Sequence, residues 1–229
     1  MGSPPENCTD ICRRGLILVA LSEAQTILAR IRKRGLPLVE MNEFYGVDSA
    51  SSDYREATKE VVSYLLSLGH RNIGFVYGVA DHELALDRLQ PFQESLNNAG
   101  VAIEPDLIVE CGPTIEDGYQ TALKLLKLSH RPTAIIAVND LLAISTIRAA
   151  GDMGLRVPDH VSVVGFDNIP MANYLMPRLT TVTKDAYTAG RNAFEMLQAR
   201  MQNPDLPRQV IHIPAKLIVR ESTGPAPSQ

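Results

Sequence analysis

Residues 132–143 read PTAIIAVNDLLA. The apolar run Ala134–Val138 breaks at two polar residues, Asn139 and Asp140, and a pattern of helical period then runs from Leu141 to Met153. A run that is apolar at every position suits a strand covered on both faces, since a strand with one wet face alternates. Strand followed by helix is half of a βαβ unit, and the same alternation recurs along the chain. Further strands are expected at Leu16–Ala20, Leu38–Met41, Ile73–Tyr77, Leu107–Glu110, Val161–Gly165, Leu179–Val182, Val210–Ile213 and Leu217–Val219. Helices are expected at Glu23–Arg34, Tyr54–Leu68, Glu83–Ala99, Ile115–Leu128 and Ala186–Met201 as well. The class is α/β with parallel sheet.

Local chemistry marks where the helices stop. Gly35, Gly69, Gly100 and Gly154 each stand just past a helix, where a left-handed residue turns the chain without a Cβ penalty. Leu36, Val101 and Leu155 follow three of them as the apolar contact of a Schellman-type stop. Asp140 and Asp185 are placed to cap the starts of their helices, and His70, directly after Gly69, to cap the last carbonyls of the helix before it. The cluster Arg30, Arg32, Lys33 and Arg34 falls in a last turn, where cations complement the helix dipole. Met1–Glu6 and Gly224–Gln229 have the composition of flexible tails.

Composition narrows the function. The 229 residues are 45% apolar and 21% charged, ordinary for a globular chain, and disorder is excluded. A net charge of −4, from 22 Lys+Arg against 26 Asp+Glu, supplies no overall positive field to gather phosphates, so this chain is not expected to grip nucleic acid itself. The longest apolar run, Leu16–Leu21, is six residues, far short of the roughly twenty that span a membrane. Cys8, Cys12 and Cys111 form no C-x-x-C pair and no disulfide framework; free thiols and a cytoplasmic location are expected, and the sequon Asn7-Cys8-Thr9 is read as chance.

Motifs for chemistry are missing. The five histidines are scattered singly, which indicates no metal site. No G-x-G-x-x-G, G-x-x-x-x-G-K-[ST] or G-x-S-x-G occurs, so dinucleotide, P-loop and nucleophile-elbow readings lose their support and no cofactor is expected. The pair Glu116/Asp117 opens a helix, where acidic residues favour the positive dipole end.

Ligands of open α/β sheets bind beyond the carboxyl ends of the strands. The residues in that position are Asn42, Cys111-Gly112-Pro113-Thr114, Asn139-Asp140, Phe166-Asp167-Asn168 and Lys184, with Arg88 on the helix that follows Ile73–Tyr77. A guanidinium, carboxamides and carboxylates, with no Ser or Cys nucleophile set beside a histidine, suit holding a polar ligand better than cutting one, and no catalytic residue is assigned. Each has a plainer reading too: Asn139 or Asp140 as a helix cap, Asp167-Asn168 as a turn, Arg88 as a surface cation.

Seven strings, in this order, resemble the effector-binding domain of the LacI/GalR family of bacterial transcription regulators. They are Gly69-His70-Arg71-Asn72-Ile73-Gly74-Phe75, Arg88-x-x-x-Phe92, Pro132 to Asp140 with Ala143, and Gly154-Leu155-Arg156-Val157-Pro158. Then come Val161 to Pro170 (VSVVGFDNIP), Leu179-Thr180-Thr181-Val182, and Leu217-x-Val219 with Arg220-Glu221-Ser222-Thr223. The resemblance runs from about Gly15 to Thr223.

It implies a type I periplasmic-binding-protein fold of two parallel-sheet lobes joined by three crossover strands, with a small, sugar-like effector in the cleft. Residues 1–52 with 185–213 would form the first lobe, and 53–184 with 214–229 the second. The family's ligand-contacting arginine, asparagine and aspartate fall on Arg88, Asn139 and Asp167; Asn42, Leu84, Pro113 and Lys184 fall where the family varies its contacts. The resemblance further implies homodimers, and operator DNA bound through a separate N-terminal helix-turn-helix. Pro91 stands where the family has glycine, Tyr54 where it has asparagine, and Leu84 where sugar binders place a hydroxyl, which points away from a simple hexose. Only Met1–Arg14 precede the matching segment. The expectation is an N-terminally truncated regulator without its DNA-binding head, its first lobe incomplete and lacking a central strand. The function expected is effector sensing for a transcription regulator, not an enzyme; the alternative is the solute-binding protein of a sugar ABC transporter.

Overall fold

The computed structural model describes residues 14–19, 24–43, 45–78, 82–112 and 114–227. In chain order the elements are β1 (Leu16–Leu18), α1 (Ala24–Lys33), β2 (Leu38–Glu40), β3 (Asp48–Asp53), α2 (Tyr54–Ser67), β4 (Ile73–Gly78), α3 (His82–Asn98), β5 (Ile108–Cys111) and α4 (Ile115–Leu126). They continue as β6 (Ala134–Ala137), α5 (Asp140–Asp152), β7 (Ser162–Asp167), β8 (Thr180–Thr183), α6 (Ala186–Gln202), β9 (Val210–Pro214) and β10 (Lys216–Ile218). The chain divides into two compact units, Met1–Ser52 with Asp185–Ile213 and Asp53–Lys184 with Pro214–Gln229.

The first unit has a four-stranded sheet in the order β1-β2-β3-β9. Its core falls in two small clusters: Val39 and Ala50 from the sheet pack with Ala189, Ala193, Met196 and Leu197 of α6, and Leu18 and Leu38 pack with Leu28 and Ile31 of α1. Among the described residues β1 pairs only with β2, so it lies at the edge. The strand β3 is absent from the expectations above. Its sequence, DSASSD, has no β-branched or large apolar residue. It forms a strand because Ala50 packs against α6 and because Asp48, at its start, is clamped by Arg200 at 2.8 and 2.9 Å.

The second unit holds a six-stranded sheet, β10-β8-β7-β6-β4-β5, parallel except for β10 against β8. The unbroken apolar runs have the cause expected of them. Alternate residues enter opposite cores: Ile135 and Val163 pack with Leu125, Leu142 and Ala149, whereas Ile136 and Val164 pack with Val61, Leu65, Phe75 and Phe92.

All six expected helices and the nine expected strands are present, with ends shifted by a residue or two. Gly35, Gly69, Gly100 and Gly154 have φ of 61°, 91°, 66° and 70°. The next amide in each case reaches back to the helix, as Leu155 N does to Ala150 O at 2.9 Å and Val101 N to Leu96 O at 2.9 Å. Asp185 caps α6 through Thr188 N at 2.9 Å.

Three local expectations are corrected. His70 contributes only its backbone amide to the end of α2, at 3.1 Å from Leu65 O. Its ring is fully buried, with Nε2 donating to Gly224 O at 3.0 Å and Nδ1 at 2.9 Å from Thr133 Oγ1. A carbonyl can only accept, which places the proton on Nε2. The side chain that does reach α2's last carbonyls is Arg71, 3.0 Å from Leu66 O. The segment after Thr223 is not a loose tail as far as Ala226, because Gly224 N donates to Ser162 Oγ at 3.1 Å and Ala226 N to Leu68 O at 2.9 Å. Asp140 is not the cap of α5; Asn139 is, its Oδ1 accepting from Leu142 N at 2.9 Å. Met1–Glu6 and the cysteines at 8 and 12 lie outside the described residues.

Candidate functional site

In the second unit's sheet the chain leaves β4 outward to β5 and then returns past β4 to build β6, β7 and β8. Connections from β4 and β6 therefore depart to opposite sides, and the gap at their carboxyl ends is where an open α/β sheet takes a ligand. Arg88, Asn139, Asp167 and Lys184 are all carried by segments that leave this end of the sheet.

Arg88, on α3, is 5% exposed, so the surface-cation reading does not hold. Its guanidinium carbon lies 3.9 Å from the centroid of the Tyr54 ring and 5.1 Å from that of Phe166. The two rings themselves meet edge-on at 5.9 Å. Tyr54 is the first residue of α2, after the N-cap Asp53, and Phe166 is on β7. Two aromatic rings thus hold the guanidinium in place.

Asp167 ends β7 with φ of 114°, and Asn168 follows with φ of 52°. Consecutive non-glycine residues in this region carry strain that the surroundings must hold in place. The turn reading is therefore realised, and the side chain is also engaged: Lys184 Nζ donates to Asp167 Oδ1 at 2.7 Å. Burial works to lower the basicity of Lys184; the bond to Asp167 and the proximity of Tyr54 and Asp167 outweigh it, so the ammonium is held above its ordinary value despite opposition from Arg88. Lys184 thus feels Arg88, Tyr54 and Asp167 together.

Asn139 spends Oδ1 on the α5 cap, so toward a ligand it can offer its Nδ2 donors. Its neighbour Asp140 is fully buried, with Oδ1 accepting from Thr181 Oγ1 at 2.6 Å and Oδ2 from Ile169 N at 2.8 Å. Burial pushes its carboxyl up to about 6, opposed by these two bonds. On the far side of the same turn, Arg220 donates to Asn168 Oδ1 and to Leu179 O, each at 2.6 Å.

Leu84 lies in α3, one turn before Arg88, with its side chain outside the described residues, as is Pro113. Asn42 follows β2 in the first unit and is half-buried. Among the described residues no group of three or more His, Cys, Asp or Glu side chains is placed to hold a metal ion, and no helix is long and apolar enough to cross a membrane. Sequence reasoning missed the parts Tyr54, Phe166, Asp140 and Arg220 play here. The available signals were an aromatic after Asp53, and Gly165 and Thr181 as partners for a buried acid.

Residues 62–223 match the family model of the periplasmic binding protein-like domain. A solved regulatory protein of the LacI family from Chloroflexus aggregans is 32% identical, covers 92% of this chain and 76% of its own, and superposes with a TM-score of 0.83. The chain belongs to the LacI family. Another similar member, a LacI family transcriptional regulator from Enterococcus faecium solved with bound ribose, is 26% identical over 91% of this chain and 80% of its own, with a TM-score of 0.82. The HTH-type transcriptional repressor PurR of Escherichia coli O1:K1 is 32% identical over 222 residues, 93% of this chain. This LacI-family chain spans 64% of the length of that relative.

Proposed function

We propose that this LacI-family domain senses a small polar effector, sugar-like or carrying comparable hydroxyl and carboxylate groups, on behalf of a transcription regulator. The observation that carries the reading is the Arg88 guanidinium, buried and held against Tyr54 and Phe166, within electrostatic reach of the Lys184 that pairs with Asp167. Arg88 would bind the ligand bidentately, Asn139 would donate from Nδ2, and Asp167 and Lys184 would accept and donate to hydroxyls. Asn42, Leu84 and Pro113 are assigned to selecting among ligands. Each of these groups holds rather than transforms, so no catalytic step is assigned. The ribose complex of the Enterococcus faecium relative supports the ligand class, and the regulators among its relatives favour this reading over a transport receptor.

In the whole protein, operator DNA would be met by a helix-turn-helix, as the name of the PurR relative suggests, in the compartment that holds the DNA. A second copy of the chain is the proposed partner for the exposed apolar loop after β7, where Met171, Tyr174 and Met176 are 56%, 83% and 96% exposed. Signal transfer requires the effector to bind one conformation better than another.

The test is a thermal-shift screen of sugars, including ribose, nucleobases and small acids on the complete gene product, followed by calorimetry on the best ligand. Arg88→Ala should weaken that ligand about ten- to a hundredfold, the worth of charge-assisted bonds of about 1.5–3 kcal/mol. Unchanged affinity would remove Arg88 from the site and the reading with it.

A further inference from the structure

The strained turn that carries Asp167 is gripped from behind by a residue that sequence patterns place at a helix start. Acids in the first turn of a helix ordinarily serve the helix's own amides. Asp140 does not: Asn139 has taken the cap, and both oxygens of Asp140 are spent on Ile169 N and Thr181 Oγ1, 29 and 41 residues away in the chain. Thr181 Oγ1 in turn accepts from Asn168 N at 3.3 Å. The carboxylate therefore fixes Ile169 directly and Asn168 through one hydroxyl, on either side of the peptide linking the two.

The packing is built around this carboxylate. A Cβ on Gly165 would lie 2.3 Å from Asp140 Oδ1 and 3.1 Å from Ala143 Cβ, so position 165 must be glycine for Asp140 to occupy its place. Removing a carboxylate from water is costly, and the displacement of its acidity shows that the two bonds offset that cost only in part. A cap alone would not require such a group. What does require it is adjacent: Asp167 at φ 114° and Asn168 at φ 52°, strained conformations that persist only when several contacts over-determine them. Arg220 supplies a further contact, through Asn168 Oδ1.

We infer that Asp140 is a positioning residue for the ligand site: by holding Ile169 N and the Thr181 hydroxyl it keeps the Asp167 turn in its strained form and sets where Asp167 meets Lys184. The ligand role rests on the function proposed above; the mechanical role does not, and the two are tested apart.

The probe is Lys184 itself. A lysine paired with a carboxylate reacts slowly with acetic anhydride, because only the neutral amine is nucleophilic, and site-resolved mass spectrometry reads its rate against exposed Lys127 in the same molecule. Asp167→Asn sets the unpaired rate, expected to be about two- to fivefold above that of the unsubstituted protein, the range for an ion pair of this exposure. Asp140→Asn and Thr181→Val should each raise the Lys184 rate toward that value while the protein still melts cooperatively. If both keep the unsubstituted rate while Asp167→Asn raises it, or if Asp167→Asn leaves it unchanged, the inference is overturned. Should Asp140→Asn fail to fold, Thr181→Val decides alone, being nearly isosteric. If Lys184 is freed in Asp140→Asn, yet neither Asp140→Asn nor Asp167→Asn alters affinity for the best ligand of the screen, the clamp stands and the ligand role falls.

Discussion

Arg88 and Tyr54 form one unit although 34 positions separate them: the guanidinium carbon lies 3.9 Å above the centroid of the phenol ring. The negative faces of Tyr54 and Phe166 return part of the solvation that this buried cation loses. Tyr54→Phe keeps the ring and should leave stability within about 0.5 kcal/mol. Tyr54→Leu removes it and should cost about 2 kcal/mol, the worth of a desolvated cation–π contact. Urea unfolding of the two variants checks the difference, and equal midpoints would show that the ring serves only to fill space.

Asp140 ties stability to pH with a sign opposite to most carboxylates. Its folded value of about 6 lies above the ordinary 3.8, so between those limits the folded chain binds the extra proton. Stability therefore falls as pH rises through the window from about 4 to 6 and levels off above it. The groups that modulate it are Asp167, which raises it, and Arg220, which lowers it. Asp140→Asn does not titrate, so whatever its stability at about pH 4, the difference from the unsubstituted protein should move in its favour by up to about 3 kcal/mol between about pH 4 and 6. Denaturant midpoints at pH 4.5, 5.5, 6.5 and 7.5 measure this; parallel curves would mean that the carboxyl is not perturbed.

His70 works the other way. Burial lowers its affinity for a proton, only partly opposed by the bond to Gly224 O. The unfolded chain then takes up the proton first, and stability is lost as pH falls below about 6.5. Gln offers an amide N–H donor and an oxygen acceptor but not the ring's shape, so His70→Gln should cost about 1–3 kcal/mol at pH 7.5 and progressively less toward pH 5. A deficit that stays constant with pH would contradict a buried neutral imidazole.

These groups also mark where the chain is legible and where it is not. Gly35, Gly69, Gly100 and Gly154 were readable because a helix stop is decided by a left-handed residue and the apolar one after it, all within a few positions. The buried strands were readable because Ile135 and Ile136 must each satisfy a different core. The strand β3 was not, since small polar residues declare themselves only against α6 and Arg200, some 140 to 150 positions later. At the site, strand-end position and resemblance pointed to Arg88, Asn139 and Asp167. Neither could show that Asn139 takes the cap and frees its neighbour, or that Asp140 bonds across to Thr181, because adjacent polar residues at a helix start are interchangeable until the fold decides between them.

The first unit has its own keystone, and its removal should be felt locally. Arg200, near the end of α6, donates through Nε and Nη2 to both oxygens of Asp48 at 2.9 and 2.8 Å. It also donates to the carbonyls of Pro204, Leu206 and Pro207. Asp48 is 4% exposed and accepts from Gln209 N at 2.8 Å as well, so one ion pair joins β3, the end of α6 and the approach to β9. Arg200→Met keeps much of the stem but leaves a buried carboxylate without its counter-ion, at a cost of about 3 kcal/mol. The small cluster of Val39, Ala50, Ala193 and Leu197 between the sheet and α6 has little in reserve against that loss. Hydrogen exchange should accelerate across β2, β3 and α6 in this variant, while amides of β4, β6 and β7 keep their protection. Unchanged exchange in β3 would show that its small residues alone hold the strand in place.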